Sequence, residues 1–245
     1  MPIQIRTDEF RARPGFTLAE MILALFIFSF MSASLATIYA TANRHMFQNY
    51  RRNTIKTNAD FAMHTIQHVL SQATRIDLPA YGQSGSRLYV VDNVDQLTGC
   101  YPVKSGVAAN WHVFCTGPDS QDGTVTDLYY HTGQISNGGG NPCGSASPSY
   151  WTSGSYPVPA CGVAGGNQTV TILMQYVTTP SNPSASIFSR MPSDGVAQRD
   201  AVAVNLRSFW DASARHFGSK QRQQDIDFSL SSLVQVSRPG RVGGE

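Results

Sequence analysis

The sequence predicts an α+β fold, in which one very long N-terminal helix packs on an antiparallel β-sheet head. Three observations predict it. Residues 16–78 contain neither Gly nor Pro. Within them, residues 21–43 contain no charged side chain. Every glycine except Gly15, and every proline except Pro2, Pro14 and Pro79, lies from Gly82 onward. There, short alternating segments are separated by turn residues, the pattern of a strand-rich domain.

The elements follow in order. Residues 1–15 carry Arg6, Arg11 and Arg13 against Asp8 and Glu9, with no apolar run of their own. They read as a basic leader rather than a complete secretory signal. The uncharged stretch that follows can cross a hydrocarbon core of ~30 Å at ~1.5 Å per residue. A transmembrane segment is expected at about residues 18–42, and the basic leader predicts a cytoplasmic N-terminus. The helix is expected to continue over residues 16–78, giving a rod of ~90 Å. In its polar half Ala62, Ile66, Val69, Ala73 and Ile76 recur at helical spacing and form a one-sided stripe for docking on the head. Pro79 is expected to end the helix near Leu78.

Residues 79–245 form the expected head. Candidate strands are 87–91, 111–115, 127–131, 168–178, 201–207 and 228–236. In 168–178, Val170, Ile172, Met174 and Tyr176 should share one face. Residues 133–167 are rich in Gly, Ser and Pro and read as a long surface loop. Residues 180–195 are irregular, 208–224 could be helix or loop, and 238–245 should be a disordered tail.

Bulk composition excludes some function classes. Charged residues make up 14% of the 245-residue chain, against about 25% in an average soluble protein. The formal net charge of +2 gives no strong nucleic-acid signal. The cysteines are Cys100, Cys115, Cys143 and Cys161, none in a C-x-x-C pair. Disulfides are expected rather than zinc, because the spacings do not suit zinc knuckles and His112 is isolated. Spacing suits two local bridges, Cys100–Cys115 and Cys143–Cys161, but three pairings are possible and sequence does not choose among them.

The stretch Gly15-Phe16-Thr17-Leu18-Ala19-Glu20, between a basic leader and an apolar helix, resembles the processing site of type IV pilins and of the pseudopilins of type II secretion. Only Ala19 departs from the usual Gly-Phe-Thr-Leu-(Ile/Val)-Glu pattern. The strong resemblance covers roughly residues 11–45 and a weaker one continues to Ile76; the head resembles no family we name. The resemblance implies a pilin-like fold. It implies cleavage between Gly15 and Phe16 by a membrane prepilin peptidase, N-methylation of Phe16, and residence in the bacterial inner membrane with the head periplasmic. It also implies that Glu20 pairs with the N-terminal amine of a neighbouring subunit during assembly. The expected partners are other pilin or pseudopilin subunits, an inner-membrane assembly platform and membrane lipid. The absence of Pro in residues 34–42, and the size of the head, point to a minor pilin or minor pseudopilin. A carboxylate in a membrane segment costs several kcal/mol unless it is paired or lies near the interface. The plainer role for Glu20 is an acid near a helix N-terminus, where the dipole favours it.

Other signals are weaker. His64 and His68, one helical turn apart, lack a third ligand. Asp119, Asp122 and Asp127 miss calcium-loop spacing, and their Asp-Gly is a turn signal. Trp111, Trp151, Trp210 and the tyrosines at 129, 130, 150 and 156 could form a recognition surface or simply a core. No catalytic motif is present, so an enzyme is not expected, nor are a cofactor or a bound metal. Two readings remain: a structural assembly subunit, and a membrane-tethered binding module (an adhesin or DNA-capture tip) acting through the loop around Cys143 and Cys161.

Overall fold

A computed structural model describes residues 15, 17–96, 98–119, 125–135, 143, 149–157, 160–177, 186–192, 200–210 and 225–236. The leader before Gly15, Phe16, Asp122, the 211–224 segment and the C-terminal tail lie outside these residues. The chain divides into two compact units, Met1–Asn49 and Tyr50–Glu245.

The first unit holds the start of the long helix α1, Leu18–Gln72. It is long and apolar enough to cross a membrane, and its most apolar window buries no residue within the protein. Side-chain hydroxyls in this region bond back to the helix's own carbonyls: Ser29 to Leu25 O (2.7 Å), Ser34 to Phe30 O (3.0 Å) and Thr41 to Thr37 O (2.9 Å). These three hydroxyls are thereby satisfied within the segment, as a hydrocarbon environment favours.

In the second unit α1 buries Ile55, Ala59, Ala62, Met63, Ile66, Val69 and Leu70, a single stripe at spacings of three and four. The helix stops at Gln72, not near Leu78. Nothing local forbids its continuing; a tertiary tie competes. The Thr74 amide and hydroxyl bond to Val91 O, and the hydroxyl also donates to Val94 O and accepts from the Val94 amide. The chain then enters strand β1, Arg75–Leu78, so Ile76 is buried from a strand and Pro79 follows a strand rather than a helix.

Among the described residues ten further strands follow: β2 Ser84–Gly85, β3 Arg87–Val91, β4 Cys100–Tyr101, β5 Asn110–Pro118, β6 Thr126–Gln134, β7 Ser149–Tyr150, β8 Gln168–Met174, β9 Phe188–Arg190, β10 Ala201–Trp210 and β11 Ile226–Gln235. They form a five-stranded sheet β1-β3-β5-β6-β8, a four-stranded sheet β11-β10-β9-β2 and a two-stranded β4-β7 pair. Every pairing is antiparallel. All six expected strands are present; 87–91 keeps its bounds as β3, and the other five are shifted at one or both ends. In β8 the expected phase slips: Leu128 pairs with Met174 but Tyr129 with Ile172, so Leu173 is a bulge residue. Leu173 and Met174 are therefore both buried, while Ile172 is exposed.

One apolar cluster joins the helix stripe to Leu88, Phe114 and Leu128 of the larger sheet and to Phe188, Val204 and Leu206 of the smaller. The opposite face of the larger sheet carries a second cluster, including Tyr101, Trp111, Tyr129 and Trp151. The Gly- and Ser-rich region is thus more than a surface loop. Its Trp151 is 5% exposed, and the Trp151 and Tyr156 rings meet edge to face at 4.9 Å.

Candidate functional site

Two regions carry the sequence-predicted residues. The first is the start of α1. Gly15 is exposed, and Phe16, the expected methylation site, lies outside the described residues. Thr17 caps the helix. Its amide and hydroxyl both donate to Glu20 Oε2 (2.9 and 3.0 Å), and the Glu20 amide donates to the Thr17 hydroxyl (3.3 Å). This reciprocal arrangement is a capping box, with Thr17 at the N-cap and Glu20 three residues on. Glu20 therefore has a local structural role as well as the one implied by resemblance. Along this part of the helix Leu18, Ile22, Phe26, Phe30, Leu35 and Tyr39 are all largely exposed.

The second region is the disulfide-stapled face of the larger sheet. The bridges are Cys100–Cys143 and Cys115–Cys161, not the two local pairs that spacing suited. The topology explains the difference. Cys100 lies on β4, which pairs with β7, whereas Cys115 lies on β5 between β3 and β6. The bridges close separations of 43 and 46 residues and tie the Gly-rich region down at two points. Next to the second bridge, buried His131 accepts at Nε2 from the Gly162 amide (3.0 Å), so Nδ1 carries the proton toward Gln168 Oε1 (3.3 Å). Cys115, Cys161 and His131 cluster closely enough to hold a metal, but both sulfurs are bonded to each other and Nε2 is engaged.

Burial holds the His131 pKa below the ordinary imidazole value, with the Gln168 contact opposing. The unfolded chain therefore binds a proton more readily than the folded one. This contribution to stability is full above about pH 6.5 and is lost as pH falls below it toward the folded value. Melting followed by circular dichroism from pH 7.5 to 5.5 should show a falling midpoint, and His131→Asn should flatten that slope. An equal slope in the variant would remove His131 from the account. For Asp92, burial is the largest single effect and would raise the pKa, but the hydrogen bonds from His112 and Asn110 together outweigh it and lower it, so Asp92 acts in a more acidic window.

Beside this face runs a groove of about 580 Å³, lined among others by Trp111, Gln134, Tyr150, Trp151, Asn167 and Gln168. Its described lining contains no charged side chain. A smaller cavity of about 220 Å³ lies between Tyr50, Arg51 and Asn58 of the helix and Tyr176 and Trp210, with the Arg51 guanidinium 4.6 Å from the centre of the Trp210 ring.

The remaining signals are placed as follows. His64 and His68 are exposed, and His64 faces Gln67 at 3.5 Å. The Asp119 amide donates to Val125 O, whereas Asp127 is fully buried and accepts from the Tyr176 amide. All three tryptophans are buried, so core packing claims most of the aromatic set. Sequence reasoning missed Gln134, at the end of β6, and Asn167, before β8, at the groove, because isolated amides carry no spacing signal. Family models, curated proteins and solved structures each return no match to this chain.

Proposed function

We propose that this protein is a structural assembly subunit, a minor pilin or minor pseudopilin that is processed after Gly15, held in the bacterial inner membrane and then incorporated into a pilus or pseudopilus through its N-terminal helix. The observation that carries the reading is a prepilin-like hexapeptide placed at the first turn of a helix whose apolar side chains are exposed all round. Such a helix needs lipid or other helices to cover it. The capping box supports the same placement: it defines a helix that begins immediately after the proposed cut, so cleavage would leave a free amine next to the first turn.

Flanking charge does not orient the segment by itself. Arg6, Arg11 and Arg13 precede it, but Arg44, Arg51, Arg52 and Lys56 follow it closely. In this reading the orientation, with the N-terminus cytoplasmic, comes from the leader and its peptidase. Partners are then the prepilin peptidase, sister subunits, an assembly platform and lipid.

Mass spectrometry of the mature protein from a host with a prepilin peptidase should find N-methyl-Phe16 as the first residue. Replacing Gly15 with Val should leave the leader attached. A mature protein that starts anywhere else would defeat the proposal.

A further inference from the structure

We propose that the groove on the disulfide-stapled face is a binding site for an uncharged saccharide. The site is separate from the helix and needs no assembly step, so the assembly reading and this one can fail independently.

The argument begins with charge. Residues 128–189 contain no Asp, Glu, Lys or Arg, and the described lining of the groove is uncharged. Nucleic acids, phosphorylated ligands and acidic peptides are gripped by Lys and Arg, so this surface offers them nothing. What it offers is amide and hydroxyl chemistry. Gln134 and Asn167 are exposed, and their side chains hydrogen-bond to no described residue. Each amide presents both donors and an acceptor, which matches sugar hydroxyls, themselves both donor and acceptor. The Tyr150 hydroxyl adds a third group of the same dual kind.

The floor is apolar and aromatic. Trp111, Trp151 and Tyr101 line the groove while only 3–5% exposed, and Tyr150 is partly exposed beside them. A ring of C–H groups flanked by hydroxyls is complementary to such a floor with an amide rim. The volume lies within the roughly 300–1,000 Å³ of small-ligand sites. Antibody combining sites rely on the same mixture of Tyr, Trp, Ser, Gly and Asn.

The groove is also built before any ligand arrives. Trp111 lies so close on Gly133 that an added Cβ would come within 2.6 Å of the ring. A Cβ at Gly99 would meet Trp151 O at 2.4 Å, and Gly99 has φ +74°. The two glycines therefore allow two tryptophan-bearing segments to close down, and the two disulfides hold them. Preorganisation of this kind lowers the ordering cost of binding.

The test uses the full chain in a zwitterionic detergent without a sugar head group. Saturation-transfer NMR is run with neutral hexose and N-acetylhexosamine oligosaccharides, uronic-acid oligosaccharides and a neutral Ser/Gly/Thr peptide. Hits are titrated by calorimetry. The expected result is saturable binding of at least one neutral oligosaccharide, weakened about tenfold or more (~1.4 kcal/mol) in Gln134→Ala/Asn167→Ala. Both positions are exposed, so the melting midpoint should not move. Tyr150→Ala should weaken binding as well. The proposal is overturned if no neutral oligosaccharide binds, if the double variant binds equally well, or if the peptide or the acidic sugars bind better.

Discussion

Replacing Arg190 with alanine is expected to destabilise the head by about 3–5 kcal/mol, the usual cost of breaking a buried ion pair by removing one partner. Arg190 on β9 meets Asp200 at 2.9 Å, and the two side chains are 5% and 3% exposed. The guanidinium also donates to Ile76 O (2.8 Å) on β1 and to Pro79 O (3.3 Å). The Tyr81 ring packs over it at 3.6 Å, and Gln96 donates to the other Asp200 oxygen at 2.7 Å. One side chain thus ties the four-stranded sheet to the edge of the five-stranded one. Its removal would leave a buried carboxylate without its countercharge and two carbonyls without their donor. At about 2–4 °C per kcal/mol for a domain of this size, the midpoint should fall by roughly 6–20 °C. The double variant Arg190→Met/Asp200→Leu removes both charges and should recover much of that loss. A loss below about 1 kcal/mol for Arg190→Ala would show the pair to be incidental.

That network shows where legibility ended. Nothing in the spacing of Arg190 and Asp200 distinguishes them from surface charges; their burial comes from a sheet-to-sheet junction that only the fold creates. The long strands β3, β5, β6, β10 and β11 were legible because period-two alternation over five or more residues is a local signal. The short strands β1, β2, β4, β7 and β9 were not, since two to four residues carry too little pattern and are ordered by their partners. The helix end failed for the same reason. Residues 73–78 have acceptable helix propensity, and Thr74 is drawn away by bonds to Val91 and Val94. Disulfide pairing failed because proximity in sequence is a poor guide when Cys100 sits on the β4-β7 pair and Cys115 sits on β5 inside the five-stranded sheet. The Gly-rich region was read as surface from its composition. One tryptophan, Trp151, and two bridges were enough to make it the cover of a second core. By contrast, the membrane-capable stretch of the helix was legible because it rests on contiguous sequence; the Thr17 cap was not, since Glu20 was read only as an assembly contact or as an acid near the helix N-terminus.

The role of Glu20 divides on one comparison. In the assembly reading its negative charge meets the methylated amine of a neighbouring subunit, and Glu20→Ala should abolish incorporation while leaving cleavage after Gly15 intact. Alanine alone is not decisive, because the capping box gives Glu20 a second job. Losing a cap costs about 0.5–2 kcal/mol, and a frayed first turn could disturb assembly without any ion pair. Glu20→Gln separates the two. Glutamine can still accept from Thr17 and so preserves the box, but it removes the charge. If the amine of a neighbour needs a carboxylate in an apolar setting, an amide leaves that charge uncompensated at a cost of several kcal/mol, and the Gln variant should fail as completely as the Ala variant. If Glu20 acts only as a cap, Gln should assemble like the parent and only Ala should suffer. The measurement is the amount of each variant in sheared filaments or surface-exposed assemblies, normalised to the processed protein in the membrane. Parent-like incorporation of Glu20→Gln would refute the charge-pairing role and leave the helix cap as the whole function of this carboxylate.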